Sequence, residues 1–339
     1  MSFMARENED NERRAGTHQM TKPKIEASDL VARVARLHFE FGLTHQETAD
    51  SLGLSRVKVT RMIKQARESG LVKITINSDA NPYAELEQEM KEVFGLTEVI
   101  IVPSPNSDGR SLQSALALGV LSYITRIFRD DMTVAVGLSR TIGEAARLAA
   151  AGIQMRRSTT FVSLVGSLRE GGDGTDSPFG ASAILAQAFG GSVEHLHAPI
   201  IVRSEVVALE LMQDPAIARS LERAAKADIL LAGVGGRDDR IDLSGQGYLE
   251  QHEWVELGAA GMVGDMCARF FDQDGRVIEH HVSSRVIGLT LEQLQNIPTR
   301  MIVAGGASKR AAVRAVLRGH FATVLVTDFK TSEDLLKKS

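Results

Sequence analysis

Residues 44–76 read THQETADSLGLSRVKVTRMIKQARESGLVKITI, and the class of the whole chain turns on them. Thr44 and Glu47 have the spacing of a capping box, in which hydroxyl and carboxylate satisfy orphan amides at a helix start. Gly53 can take the left-handed conformation that closes such a helix. Ser55 then caps a second helix, from Arg56 to about Ser69, closed by Gly70. Along it Val59, Met62, Ile63 and Ala66 fall at i, i+3, i+4 and i+7 and make one apolar stripe. Arg56, Thr60, Lys64 and Arg67 lie on the other side, flanked by Lys58 and Arg61. The pattern predicts a helix-turn-helix with a basic second helix.

Two ordinary surface helices with solvated charges would share some of these features. Against that reading, the two capped helices meet across a very short glycine-containing turn, as the motif requires. Between Arg56 and Lys73 the one acid is Glu68, on a chain whose net charge is −4. A local basic face on an acidic chain is the footprint of phosphate contact. Duplex DNA is the expected partner, met by Thr44, Gln46, Ser55, Arg56, Lys58, Thr60, Arg61, Lys64 and Arg67, with the second helix in the major groove.

The 339 residues are too many for one small DNA-binding module and suit two domains or three. With 43% hydrophobic and 24% charged residues, the composition is that of an ordinary soluble protein. The single Cys267 cannot form an internal disulfide, and no Cys/His cluster has zinc spacing. No apolar run is long enough for a membrane span and the N-terminus lacks a signal-peptide core. A reducing cytoplasm is the expected location, with no cofactor and no metal site.

Residues 1–23 are polar and charged and are expected to be a disordered tail, with Met20 as an alternative start. Residues 24–77 are the DNA-binding domain: a first helix from Ser28, the helix-turn-helix, and a short alternating strand, Leu71 to Ile76, that could be a wing. Residues 78–95 are a linker and a linking helix, Tyr83 to Phe94. Residues 96–339 form the second domain. There, strand candidates 99–102, 133–136, 160–164, 193–196, 229–233, 301–304 and 323–326 alternate with helical segments 112–128, 142–151, 181–189, 215–225 and 309–317. Continuous apolar strands alternating with helices predict an α/β domain with a doubly wound, largely parallel sheet.

In such sheets ligands bind at the loops leaving the carboxyl ends of the strands. Gly137-Leu138-Ser139-Arg140-Thr141 follows one strand and opens a helix, a plausible phosphate cradle backed by amides and the positive dipole end. Gly166-Ser167-Leu168-Arg169, Gly233-Val234-Gly235-Gly236 and Gly305-Gly306-Ala307-Ser308-Lys309 follow three others. Any one glycine-rich turn is equally well explained by chain reversal. Four at equivalent strand ends point to a small anionic metabolite.

The chain from about Leu30 onward resembles the SorC-type (SorC/DeoR-like) family of bacterial sugar-binding transcriptional regulators. LTHQETA at 43–49, LGLSRVKV at 52–59 and ARESGLV at 66–72 carry the likeness in the first domain. In the second it is carried by GMVGDMCARFF at 261–271, RVIGL at 285–289, Ala304-Gly305-Gly306 with Lys309, and VLVTD at 324–328. The resemblance implies an effector domain related to sugar-phosphate isomerases and deaminases. It implies a phosphorylated sugar or polyol as effector, a homodimer or homotetramer, and control of a carbohydrate or polyol catabolic operon. Carried over residue by residue, Gly137, Ser139, Arg140 and Thr141 would hold phosphate, with Arg169 and Lys309 as cationic contacts. Asp265 would accept hydrogen bonds from sugar hydroxyls, and Gly235, Gly236 and Gly306 complete the set. Leu138 stands where many relatives carry an aromatic residue.

Other readings stay open at this point. Asp265 could serve only to brace the Gly261–Gly264 turn. The chain could be a sugar-phosphate isomerase or deaminase with an added DNA-binding module, although such an enzyme needs a second acid or base beside Asp265. His195 and His197 are expected to be structural, and His280-His281 lacks the further ligands of a metal site. Asp272-Gln273-Asp274-Gly275 lacks the terminal glutamate of a calcium loop and reads as a hairpin turn.

Overall fold

The structure, a computed structural model, describes residues 27–72, 81–105, 109–153, 155, 157–167, 177–237 and 248–337. The chain divides into two compact units, Met1–Asp79 and Ala80–Ser339. The expected tail at 1–23, most of the expected strand (Lys73 to Ile76), residue 77 and residues 78–80 of the linker lie outside the described residues.

Among its described residues the first unit has three helices, α1 (Ala27–Phe39), α2 (His45–Leu52) and α3 (Arg56–Glu68). The capping box forms as its spacing predicts. The Thr44 hydroxyl accepts from the Glu47 amide at 3.2 Å, and Glu47 Oε2 accepts from the Thr44 amide at 2.8 Å. Gly53 takes φ 65°, and Ser55 caps α3 through the Lys58 amide at 3.3 Å. Val59, Ile63 and Ala66 bury the inner stripe of α3, packing with Val34 and Ala49 and with Val31 and Ala35. Leu71 and Val72 form a bend, not the start of a strand.

The second unit runs α4 (Ala84–Phe94), β1 (Glu98–Val102), α5 (Gly109–Ile127), β2 (Thr133–Val136), α6 (Arg140–Gly152), β3 (Thr160–Ser163), α7 (Pro178–Phe189), β4 (Ser192–Glu194), α8 (Glu205–Gln213), α9 (Pro215–Ala225) and β5 (Ile229–Gly233). It continues with β6 (Gly235–Gly236), α10 (Gln251–Ala259), β7 (Gly264–Met266), β8 (Arg269–Phe271), α11 (Leu291–Gln295), β9 (Thr299–Val303), α12 (Arg310–Arg318), β10 (Val324–Asp328) and α13 (Phe329–Lys337). Seven strands form one sheet in the order β1-β10-β9-β5-β2-β3-β4, with every pairing parallel. These are the seven expected strands; β2 and β5 match at both ends and the others are shifted by at most two residues.

Alternation along the strands explains why both faces are covered. Val134 and Val136 pack with α5, α6 and α7, while Ala135, Leu230 and Ala232 pack with α4, α10, α12 and α13. From β2 the chain winds outward through β3 and β4, then returns to β5 and winds the other way through β9 and β10. The order reverses between β2 and β5. A crevice at the carboxyl ends of those two strands is therefore built into the topology.

Sequence alternation did not foretell a second sheet, β6-β7-β8, which is antiparallel and very short. Cys267 and Ala268 join β7 to β8 in a two-residue hairpin with φ 54° and 62°. Such turns favour glycine or asparagine, so two ordinary residues there hold a strained backbone. The segment after β8 is the expected hairpin turn: Phe271 bridges Val277, and Asp272 Oδ1 accepts from the amides of Asp274 and Arg276, both at 2.9 Å.

Candidate functional sites: a basic helix face and a cavity at the strand ends

In the first unit, burial of the Val59–Ile63–Ala66 stripe leaves the opposite side of α3 in solvent. Arg56, Lys58, Thr60, Arg61, Lys64 and Arg67 are all exposed, as is Ser55. Several of the polar groups already have protein partners. The Thr60 hydroxyl donates to the Arg56 carbonyl at 3.0 Å and lies 3.1 Å from Nδ1 of His45, tying α2 to α3. Gln46 donates to Asp50 at 2.8 Å, and Thr44 is committed to its capping box. Lys64 stands 3.6 Å from Glu68 in a solvent-exposed pair. The long basic side chains of α3 thus form the outward surface, and Thr44 and Thr60 also hold the motif's geometry.

In the second unit a cavity of about 600 Å³ lies at the carboxyl ends of β2, β5 and β9. Ser139, Arg140 and Thr141 line it from the start of α6, Gly233 from the end of β5, Gly235 from β6, and Gly306 and Lys309 from the turn after β9. Asp265 closes it from β7. Seven of the ten expected effector residues therefore converge on one space. Gly137 and Gly236 stand behind the wall. A Cβ on Gly137 would lie 2.6 Å from Cys267 Sγ, and one on Gly236 would lie 2.7 Å from the Ser308 carbonyl. Their contribution is close backbone approach rather than lining. Arg169 lies outside the described residues.

The polar groups of the cavity are held by the chain itself. Ser139 Oγ caps α6, accepting from the Ile142 amide at 3.2 Å. The Arg140 carbonyl accepts from Gln113 of α5 at 2.9 Å. Lys309 Nζ donates to the Val234 carbonyl at 2.7 Å, which aims a cation across the β5 and β9 turns. Asp265 Oδ2 accepts from the Ala268 amide at 3.1 Å, so it braces the strained Cys267–Ala268 turn while lining the cavity. This bond holds the β7–β8 hairpin.

Two groups behind the lining keep it in place. Asp328, at the end of β10, accepts from the Gly306 amide at 2.7 Å, the Thr331 hydroxyl at 2.6 Å and the Ser104 hydroxyl at 2.6 Å. Burial pushes its carboxyl up, but the hydrogen bonds from Ser104, Thr331 and Gly306 outweigh burial and leave it below the usual carboxylate range. It anchors the left-handed Gly306, at φ 92°. Cys267 sits in the wall against Leu138, and burial pushes its thiol up to about 12. It is a neutral thiol at physiological pH.

Arg110, Leu112, Gln113 and Leu116 of α5 line the cavity too, with Leu138 and Trp254 of α10. Apart from Leu138, which belongs to the loop before α6, sequence patterning did not single these out. The i, i+4 pair Leu112–Leu116 reads as core, and Trp254 has no turn or glycine beside it to announce a site. The signal available was its being the only tryptophan in the chain. His195 does not line the cavity. It stacks on Phe179, centroids 3.4 Å apart, and burial together with neighbouring His197 lowers its pKa.

Known proteins agree with both units. Residues 78–337 match the family described as "Putative sugar-binding domain", and residues 26–79 match the Crp-like helix-turn-helix domain. The chain belongs to that sugar-binding-domain family, and with its helix-turn-helix it is a DNA-binding, sugar-binding transcriptional regulator. It is 29% identical over 313 residues to the transcriptional regulator LsrR of Klebsiella pneumoniae subsp. pneumoniae, covering 91% of this chain and 93% of that one. To the Escherichia coli K12 transcriptional regulator YjhU it is 28% identical over 323 residues, 93% of this chain and 97% of that one. Among solved structures, a sugar-binding domain of a transcriptional repressor from Vibrio fischeri is 30% identical, with a TM-score of 0.69 over 75% of this chain and 98% of that one. The full-length sorbitol operon regulator SorC of Klebsiella pneumoniae shares the fold, with a TM-score of 0.71 at 23% identity over 92% of this chain and 99% of that one. The SorC-type resemblance is borne out. No described helix is long and apolar enough to cross a membrane.

Proposed function

We propose that this regulator controls a carbohydrate or polyol catabolic operon and that its effector is a phosphorylated sugar or polyol bound in the cavity at the β2, β5 and β9 strand ends. The observation that carries this reading is the meeting of an α6 N-terminus, Arg140 and Lys309 in one cavity that Asp265 and Trp254 also line. A helix N-terminus with flanking cations suits a phosphate. Asp265 suits hydroxyl groups, and an indole suits the C–H face of a sugar. The protein works in the cytoplasm as a homodimer or homotetramer, with exposed Arg56-to-Arg67 faces entering successive major grooves of the operator. Effector acts by its different affinity for two arrangements of the subunits, which is the sole way a ligand can shift them.

Among the described residues that line the cavity, Asp265 is the one carboxylate and no histidine is present. That supports a sensing role over isomerase or deaminase chemistry, which requires a placed acid–base pair. The test is a thermal-shift screen of the whole protein against phosphorylated sugars and polyols beside their unphosphorylated forms. Ligand binding to the native state raises its stability by mass action. A shift from a phosphorylated compound, abolished in Lys309→Ala while operator binding persists, is the expected result. A shift from unphosphorylated compounds alone overturns the phosphate assignment, and turnover of the hit overturns the sensing role.

A further inference from the structure

The His280-His281 pair finds in the fold the partner it lacks in the sequence. Glu256, 24 residues earlier on α10, brings its Oε2 to 3.3 Å from His280 Nε2. One ligating atom from each of Glu256, His280 and His281 lies within 4.8 Å of the others. Glu253, one turn before Glu256, accepts from or pairs with His281 Nε2 at 3.0 Å. We propose that Glu256, His280 and His281 form a site for a borderline divalent ion of the zinc class, with Glu253 as its outer support.

The chemistry of the donors selects the ion. Two imidazoles and a carboxylate are a zinc-type set with a fourth position open to water, whereas calcium and magnesium take oxygen donors. Tetrahedral bonds of about 2.0–2.1 Å place donor atoms about 3.3–3.4 Å apart, and the His280–Glu256 separation already has that length. The remaining donors close by side-chain rotation, since His281 and Glu256 are each about half exposed, at 54% and 53%.

An ion-pair cluster is the competing account, and the partners differ in how well they fit it. Glu253 is buried and satisfied as a structural carboxylate. It accepts from the Arg285 guanidinium and from the Glu250 amide at 2.8 Å. Its contact with His281 Nε2 fixes that nitrogen as the N–H and leaves Nδ1 for an ion, the carboxylate–histidine–metal arrangement that orients ligands in zinc sites. His280 coordinates through Nε2 by shifting its proton to Nδ1. The step releases no net proton and gives up a long contact, 3.3 Å, from the Val282 amide. The ion ties α10 to the 280–285 segment, and α10 is the helix that carries Trp254 into the cavity wall.

The experiment uses the full chain, stripped with a chelator and dialysed against zinc. Bound metal is measured by elemental analysis, and affinity by competition with a chromogenic chelator. Cobalt(II) serves as the spectroscopic probe, its visible bands reporting tetrahedral coordination. The expected result is one zinc per chain, with affinity reduced in Glu256→Gln and in His281→Ala by more than the roughly ten- to hundred-fold that loss of an outer-shell partner costs. Both residues are exposed, so the variants should melt with wild type in the absence of metal. Failure of the wild type to hold stoichiometric zinc, or affinity unchanged in both variants, overturns the site.

Discussion

The outward face of α3 and the cavity of the α/β domain are built in opposite ways. On α3 the groups proposed to meet DNA are long cations standing clear of a buried stripe. Changing one leaves the helix intact. In the cavity the polar groups are already bonded: Ser139 caps a helix, Lys309 holds the Val234 carbonyl, and Asp265 holds a strained turn. The α3 surface is built of outward side chains, whereas the cavity is shaped largely by backbone. Substitutions in the two regions should therefore separate into losses of affinity and losses of fold.

The largest effect is expected where the cavity's support is charged and buried. Arg269, next to the strained turn, gives its guanidinium to the carbonyls of Leu289 (3.1 Å), Ser283 (2.6 Å), Val286 (3.4 Å) and Gly288 (2.9 Å). Burial lowers its pKa to about 10, so it remains charged at physiological pH. Arg269→Met leaves those carbonyls unpaired and should cost about 3–5 kcal/mol, read as a fall in the melting temperature of the α/β domain. A loss under 1 kcal/mol would show that water replaces the guanidinium and that the fold is less dependent on this clamp than the comparison holds. Next is Gly137→Ala, whose Cβ would press on Cys267 Sγ. Overpacking there should cost about 1–3 kcal/mol. Adding Cys267→Ala removes the opposing sulfur, so the double variant should recover part of the loss. Strictly additive losses would mean the clash lies elsewhere.

On α3 the expectation reverses. Arg61→Ala and Lys64→Ala should each weaken operator binding by about ten-fold and lower the salt dependence by about one ion per lost phosphate contact. Melting should stay within about 0.5 kcal/mol of wild type, as at other exposed positions. Binding measured against salt concentration and a melting curve test both halves. Retained affinity in both variants would place DNA on another face.

The same contrast explains what the sequence made legible. The capping box, the Gly53 turn and the 3.6-residue stripe of α3 are local, so spacing alone predicted them. The inner strands of the parallel sheet were visible as short apolar runs between helices, because both of their faces are buried, whereas β4 is an exposed edge strand. The cavity was half visible. Turns such as Gly305-Gly306 announce a strand end, but Arg110, Gln113 and Trp254 reach the cavity from helices whose local pattern is that of ordinary surface and core. The β6-β7-β8 sheet was hidden because strands of two or three residues are too short to show alternation, and because Cys267 and Ala268 are not turn formers. Asp328 was noted as the last residue of VLVTD, yet its role depends on Ser104, 224 residues away.

Asp328 supplies the smallest effect and the sharpest test of the idea that the cavity rests on its backbone. Asp328→Asn keeps one carbonyl oxygen for the Gly306 amide and the Thr331 hydroxyl, and its amide can donate to Ser104. It also turns an N–H toward the Thr331 amide, which Oδ2 now accepts at 3.3 Å. At neutral pH the net cost should be about 1 kcal/mol. The pH dependence carries the sign. A carboxyl whose pKa is depressed on folding contributes stability that is present above its unfolded value, about 3.9, and is lost as pH falls through the folded value. The wild type should therefore lose stability relative to Asp328→Asn as the solution is taken below about pH 4, with the two melting temperatures converging. Parallel curves down to that range would mean that Asp328 is not held ionised by the Gly306 turn. The turn would then rest on Thr331 and the β9–α12 packing alone, and effector affinity in the variant would stay at the wild-type level.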